Sequence, residues 1–122
     1  MLAHMDIIVV TCPSTPATYH LLSERRLQLL QSHCYLINTS RGNIIDEQAL
    51  VRLLETGAIA GAGLDVFEEE PTIHPGLLKS AKVVLLPHIG SATWRTRKIM
   101  AQMCANNILA GLQNEPLPNR VQ

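Results

Sequence analysis

Ile7-Ile8-Val9-Val10-Thr11-Cys12-Pro13 is the stretch on which the fold turns. A continuous apolar run is cut off by a proline, which locks φ and offers no backbone N–H to a ladder, so residues 7–11 read as a buried strand. The pattern repeats outward along the chain. Cys34 to Thr39 reads as a second apolar strand, about Ala60 to Val66 as a third, and Val83-Val84-Leu85-Leu86 as a fourth, ended by Pro87. Helical signals lie between them. Ser23 is placed to cap a helix from Glu24 towards Gln31, with Leu27 and Leu30 on one face and Arg25 and Arg26 on another. Asn43 and Asp46 lead into a helix through Thr56, striped by Leu50, Leu53 and Leu54 and stopped by Gly57. A polar loop, Glu68 to His74, follows the third strand. A long helix from about Thr93 to Gly111 has Ile99, Met103 and Ile108 among its apolar positions, and Pro116 and Pro118 end it in an extended tail. Strands alternating with helices predict parallel crossover units: an α/β fold, half of a doubly wound parallel sheet, with four parallel strands, flanking helices and a long C-terminal helix.

Composition agrees with that class. The chain has 122 residues, 47% of them hydrophobic, yet Phe67, Trp94, Tyr19 and Tyr35 are its only aromatics, so its core is aliphatic, as a parallel sheet lined by Val, Ile and Leu requires. Gly61 and Gly63 in the third strand are expected to let a packed helix approach closely. Ten basic and ten acidic residues cancel, and no basic stripe with interleaved aromatics appears, which argues against nucleic acid as a partner. Cys12, Cys34 and Cys104 are odd in number and lack CxxC spacing, so they read as reduced thiols and not as a disulfide framework or a metal site. Met1 to Asp6 lacks the basic start of a signal peptide, and no run reaches the roughly 18 apolar residues of a membrane span, so a cytoplasmic location away from membranes is expected. Asn38-Thr39-Ser40 matches a glycosylation sequon at a strand end, an accidental match in that setting. The chain opens almost directly on a strand whose edge would stand unpaired, so further sheet is expected upstream.

Three residues beyond strand ends carry the chemistry, because ligands of open α/β sheets bind in the crevice outside the carboxyl ends of the strands. Arg41, in Asn38-Thr39-Ser40-Arg41-Gly42, offers a rigid five-donor fork that can hold a carboxylate bidentately and polarise a neighbouring carbonyl. Alone, the stretch fits equally an arginine paired with a surface acid. Leu64-Asp65-Val66-Phe67-Glu68-Glu69-Glu70-Pro71 ends the third strand with four carboxylates, most of which read as solvated loop charges. His88, in Pro87-His88-Ile89-Gly90-Ser91-Ala92-Thr93, follows a strand and precedes a helix, and alone fits a capping or core role as well as a ligand-facing one. Together the set is sharper. A carboxylate bonded to an imidazole favours the protonated ring and fixes its tautomer, preparing it to give a proton to a developing alkoxide as hydride arrives, while Asp65 is placed to bond a carboxamide at the sheet edge.

The strings INTSRGNIIDEQAL, AGAGLDVFEEEP and LLPHIGSATWRTR resemble signatures of the D-isomer-specific 2-hydroxyacid dehydrogenases. With ANNILAGLQNEPLP they are most similar to the glyoxylate and hydroxypyruvate reductase branch, and the resemblance runs from Ala3 to about Pro118. It implies a Rossmann-like fold in which residues 1–92 form the C-terminal half of a dinucleotide-binding domain and residues 93–122 a helix and tail returning to a substrate-binding domain. It implies His88 as acid/base, Glu70 as its dyad partner and Arg41 as substrate ligand; Pro13, Thr39, Asp65 and Gly90 as contacts of NADPH or NADH; and Ile89, Gly90 and Ser91, with Arg41 and His88, around a small 2-oxo acid. A homodimer in the full-length parent is implied as well. One departure is plain: the family's G-x-G-x-x-G turn is missing, since Val66 stands where the third glycine after Gly61 and Gly63 belongs. These residues alone are therefore expected to be weakly active or inactive. The alternative is a non-enzymatic interaction module of the corepressor type found among relatives of these dehydrogenases.

Overall fold

The structure, a computed structural model, describes residues 1–121. It divides into two compact units, Met1–His88 and the segment from Ile89 onward.

The first unit is built on four parallel strands, β1 (Ile7–Val10), β2 (Tyr35–Asn38), β3 (Gly61–Leu64) and β4 (Val83–Leu85), in the spatial order β1-β2-β3-β4. Register follows the pleat: Val9 pairs with Ile37, Ile37 with Gly63, and Gly63 with Val84. Alternation then sorts the side chains. Val10, Leu36, Asn38, Ala62 and Leu64 turn to the buried face, whereas Ile7, Val9, Tyr35 and Val84 stand exposed on the other. A buried first strand was the expectation, yet of β1 only Val10 is buried, and the face that carries Ile7 and Val9 is exposed.

The covering elements are short α1 (Glu24–Leu27), α2 (Glu47–Thr56) and α3 (Pro75–Lys79). Leu27, Leu30, Leu50, Leu54, Ile59 and Leu77 pack with Cys34 and Leu36 into one aliphatic core. Burial pushes the Cys34 thiol up, with Asp6 adding to the effect, so this cysteine is a protonated core side chain. In α2 the expected signals all operate: Asp46 accepts a hydrogen bond from the Ala49 amide, Leu50, Leu53 and Leu54 are buried, and Gly57 ends the helix at φ 71°.

The structure adds to or changes the local reading in three places. α1 ends at Leu27 and not near Gln31, because Leu29 and Leu30 bond to carbonyls three residues back and tighten the turn, and Ser23 holds the cap position without a side-chain capping bond. Residues 75–79, which the sequence reading left unassigned, form a helix: His74 caps it, accepting from the Gly76 amide, and Pro75 takes the first turn, where its missing N–H costs nothing. Among the described residues the atoms nearest Gly61 and Gly63 belong to the sheet and not to a helix. A Cβ on Gly61 would lie 2.6 Å from the Lys82 carbonyl oxygen and one on Gly63 3.0 Å from Ile37 Cδ1, so their smallness serves neighbouring strands.

The second unit is dominated by α4 (Trp94–Leu112), started by Thr93, whose hydroxyl accepts from the Thr96 amide. Its tail turns back on it. The Asn119 amide donates to Asn107 Oδ1 and Asn107 Nδ2 donates to Asn119 Oδ1, while Leu117 approaches Gly111. No helix among the described residues is long and apolar enough to cross a membrane.

Candidate active site

The carboxyl edge of the sheet is shaped first by Asn38, the last residue of β2, whose side chain is buried. Its Nδ2 donates to the Arg41 carbonyl at 2.9 Å and its Oδ1 accepts from the Ser40 amide at 3.0 Å, folding residues 38–41 into a tight corner. Ser40 Oγ donates to the Cys12 carbonyl and so ties this corner to the loop after β1. Arg41 emerges from the corner exposed, with Nη1 donating to the Ser40 carbonyl at 2.6 Å. None of the ion pairs among the described residues involves it.

Gly42 is there because the next backbone leaves no room. A Cβ at this position would lie 1.9 Å from the carbonyl carbon of Phe67 and 2.3 Å from the Glu68 amide nitrogen. The loop after β3 therefore rests directly on the residue after Arg41. That loop folds over its own carboxylate: the Phe67 amide donates to Glu70 Oε1 at 2.9 Å, and Glu70 Oε2 lies 2.7 Å from His88 Nδ1.

The Glu70 carboxyl is held below the usual carboxylate range. The hydrogen bond with His88 is the chief cause; burial opposes it, and the Phe67 amide and the charges of His88 and Arg41 support it. An ionised carboxylate only accepts, so Nδ1 must be the ring's donor, which leaves Nε2 as the atom available for proton transfer. His88 adopts φ 52°, a left-handed conformation that costs a β-carbon residue about 1 kcal/mol or more and persists where surroundings enforce it.

Arg41, Glu70 and His88 line one open cavity of about 380 Å³ together with Ser14, Asn43 and Glu68. The three residues singled out in the sequence are thus brought together. Pro13 lies beyond β1, exposed Thr39 directly follows β2, and Asp65, 5% exposed, directly follows β3 with its amide donating to the Asn38 carbonyl. All three sit at the same edge. Ile89, Gly90 and Ser91 open the second unit in a turn closed by the Ala92 amide on the Ile89 carbonyl, with Ser91 at φ 60°.

Glu68 departs from its reading as a solvated charge. Its Oε1 lies 2.6 Å from His20 Nε2, its Oε2 accepts from the Glu47 amide at 3.3 Å, and its own amide donates to Glu47 Oε2 at 2.9 Å. The sequence carried no signal for this, since His20 and Glu68 are 48 residues apart and Glu68 is one of three consecutive glutamates.

Fold and site together define an open parallel α/β unit with an imidazole–carboxylate pair and a guanidinium in no ion pair at its carboxyl edge. Residues 1–90 match the model of the D-isomer specific 2-hydroxyacid dehydrogenase NAD binding domain, and the chain belongs to that family. It is 48% identical over 121 residues to the glyoxylate reductase of Thermococcus litoralis, covering 99% of this chain and 37% of the relative. To the human glyoxylate reductase/hydroxypyruvate reductase it is 47% identical over 122 residues, covering 98% of this chain and 37% of the relative. Among solved structures, the NADPH-dependent glyoxylate/hydroxypyruvate reductase of Sinorhizobium meliloti, in complex with NADP and malonate, superposes with a TM-score of 0.93 at 38% identity, covering 98% of this chain and 38% of that one. The chain spans little more than a third of the length of these proteins.

Proposed function

We propose that this chain works as part of an NAD(P)H-dependent oxidoreductase that reduces glyoxylate or hydroxypyruvate to the 2-hydroxy acid. The observation that carries the reading is the 2.7 Å His88–Glu70 bond in the cavity that Arg41 also lines. Arg41 holds the substrate carboxylate with its planar fork and polarises the adjacent carbonyl. His88, protonated at Nε2, gives that proton to the carbonyl oxygen as it becomes a hydroxyl, and Glu70 stabilises the imidazolium and keeps Nδ1 as the bonded nitrogen. The family resemblance adds Ile89, Gly90 and Ser91, the residues that follow His88 in the chain, to the substrate's contacts.

The residues present fit the nicotinamide end of a dinucleotide. Asp65 is a buried carboxylate at the strand end, able to accept from a carboxamide N–H, with Thr39 and Pro13 at the neighbouring strand ends and Gly90 beyond the histidine. When bound, the NADPH or NADH supplies the hydride. The 122 residues contain no G-x-G-x-x-G turn for the pyrophosphate, so we expect slow or no turnover from them alone. Residues 1–92 serve as the C-terminal half of the dinucleotide-binding domain, and residues 93–122 as a helix and tail that return to the substrate-binding domain; in the full-length parent we expect a homodimer.

Glyoxylate- or hydroxypyruvate-dependent NADPH oxidation by the holoenzyme tests the assignment. His88→Ala should lower kcat by about 10²–10⁴-fold, the usual worth of a general acid, with a smaller change in KM. Normal turnover by His88→Ala would overturn it.

A further inference from the structure

Beside the site lies a second imidazole–carboxylate pair, and it is better sheltered than the first. His20 and Glu68 have side chains 28% and 23% exposed, against 44% and 35% for His88 and Glu70. Glu68 nevertheless lines the same cavity as Arg41. An arginine beside two ionisable carboxylates would ordinarily pair with one of them, yet Arg41 takes part in none of the ion pairs among the described residues. Each nearby carboxylate is instead committed to a histidine: Glu70 to His88, Glu68 to His20.

Resting on the reading that Arg41 holds the substrate carboxylate, we infer that His20 is a positioning residue that keeps Glu68 away from Arg41 and so leaves the guanidinium available for an anionic substrate. The surroundings of His20 suit that task. Its amide donates to the Asn43 carbonyl at 2.9 Å, fixing it to the loop that carries Arg41, and the Tyr19 ring stacks on its own at 4.1 Å between centroids. Glu68 is held from the other side by the Glu47 amide, at the positive end of the ten-residue helix α2. Without the imidazole, the carboxylate keeps only this single, long hydrogen bond and gains the option of pairing with Arg41. It then competes with the substrate from within the molecule.

The test is a series at two positions. Oxalate, a small dianion standing in for the 2-oxo acid, is titrated into the holoenzyme while the Arg41 Nε–H resonance is followed, and KM and kcat for glyoxylate are measured in parallel. His20→Ala should weaken oxalate binding and raise KM about fivefold, the worth of a partly exposed ion pair, with kcat changed less than twofold. His20→Gln retains an N–H donor and meets the same backbone strain at φ 45°, and should bind oxalate within about twofold of the parent. The double variant His20→Ala/Glu68→Gln, which has no competing charge, should recover the parent affinity. A His20→Ala protein that binds oxalate normally overturns the inference, as does a folded double variant as weak as His20→Ala, because loop-tying alone would not be relieved by removing the charge. Failure of the proton-transfer reading shows elsewhere, as normal turnover by His88→Ala, and leaves the oxalate titration to be read by itself.

Discussion

Glu70 is held at both oxygens, one by an amide and one by His88, and that has a pH signature. Its folded carboxyl titrates below its ordinary value of 4.5, so the folded state binds protons less readily than the unfolded chain and gains from the ionised form. The stabilisation is complete above about 4.5 and is lost as pH falls through the lower folded value. Both partners are more than a third exposed, so solvent screening limits the effect to about 1 kcal/mol at most. Urea unfolding of the parent and Glu70→Gln should differ by a constant amount from neutral pH down to about 5, and the difference should shrink at lower pH; a difference that grows on acidification would sink this account. Arg41 and His88 were legible in the sequence because each follows a strand and strand ends are visible as apolar runs closed by polar or proline residues, whereas Glu70 was told from its neighbours only by the family resemblance. Glu68 and His20 were not legible. A pairing across 48 residues has no periodicity, and one glutamate among Glu68, Glu69 and Glu70 carries no mark of its partner until the chain is folded.

At the scale of elements, the site depends on two loops lying in contact, and Gly42 is where they touch. Gly42→Ala places a methyl carbon 1.9 Å from the Phe67 carbonyl carbon, a backbone atom that cannot rotate aside, so the loop after β3 must lift from the loop after β2. Overpacking of this kind costs about 1–3 kcal/mol, and the rigid neighbour puts this case at the upper end. The displaced loop carries Glu70, so the variant should lose activity out of proportion to stability. A thermal melt and a crystal structure of Gly42→Ala check both halves, and an unmoved Phe67–Glu70 loop would contradict the argument. Element by element, legibility followed the number of agreeing signals. α2 had a cap, a leucine stripe and a glycine stop, and the structure keeps all three; α3 had only Pro75 after a polar loop, which announces a turn as readily as a helix start.

For the molecule as a whole, the consequential feature is the sheet face that the described residues leave open. Ile7 and Val9 on β1, Tyr35 on β2 and Val84 on β4 are 61%, 56%, 51% and 64% exposed, and register sets Val9, Ile37, Gly63 and Val84 in one row across all four strands. The sequence made the apolar runs visible but not which face would be covered, because a strand buried on both sides and one buried on a single side can share the same Val and Ile content. A contiguous apolar row is attractive to hydrophobic dyes and costs solubility, and isolated surface residues elsewhere do neither. These 122 residues should therefore bind such a dye strongly when folded. Val9→Lys with Val84→Lys should cut the dye signal by at least half while leaving the urea midpoint nearly unchanged, since neither side chain belongs to the buried core and exposed substitutions usually act within about 0.5 kcal/mol. A double variant that unfolds at much lower urea would place these side chains in a packed environment and overturn the reading of an open face. A dye signal that survives intact would move the exposed apolar surface to α4, whose Ile99, Met100, Ile108 and Leu109 also stand exposed.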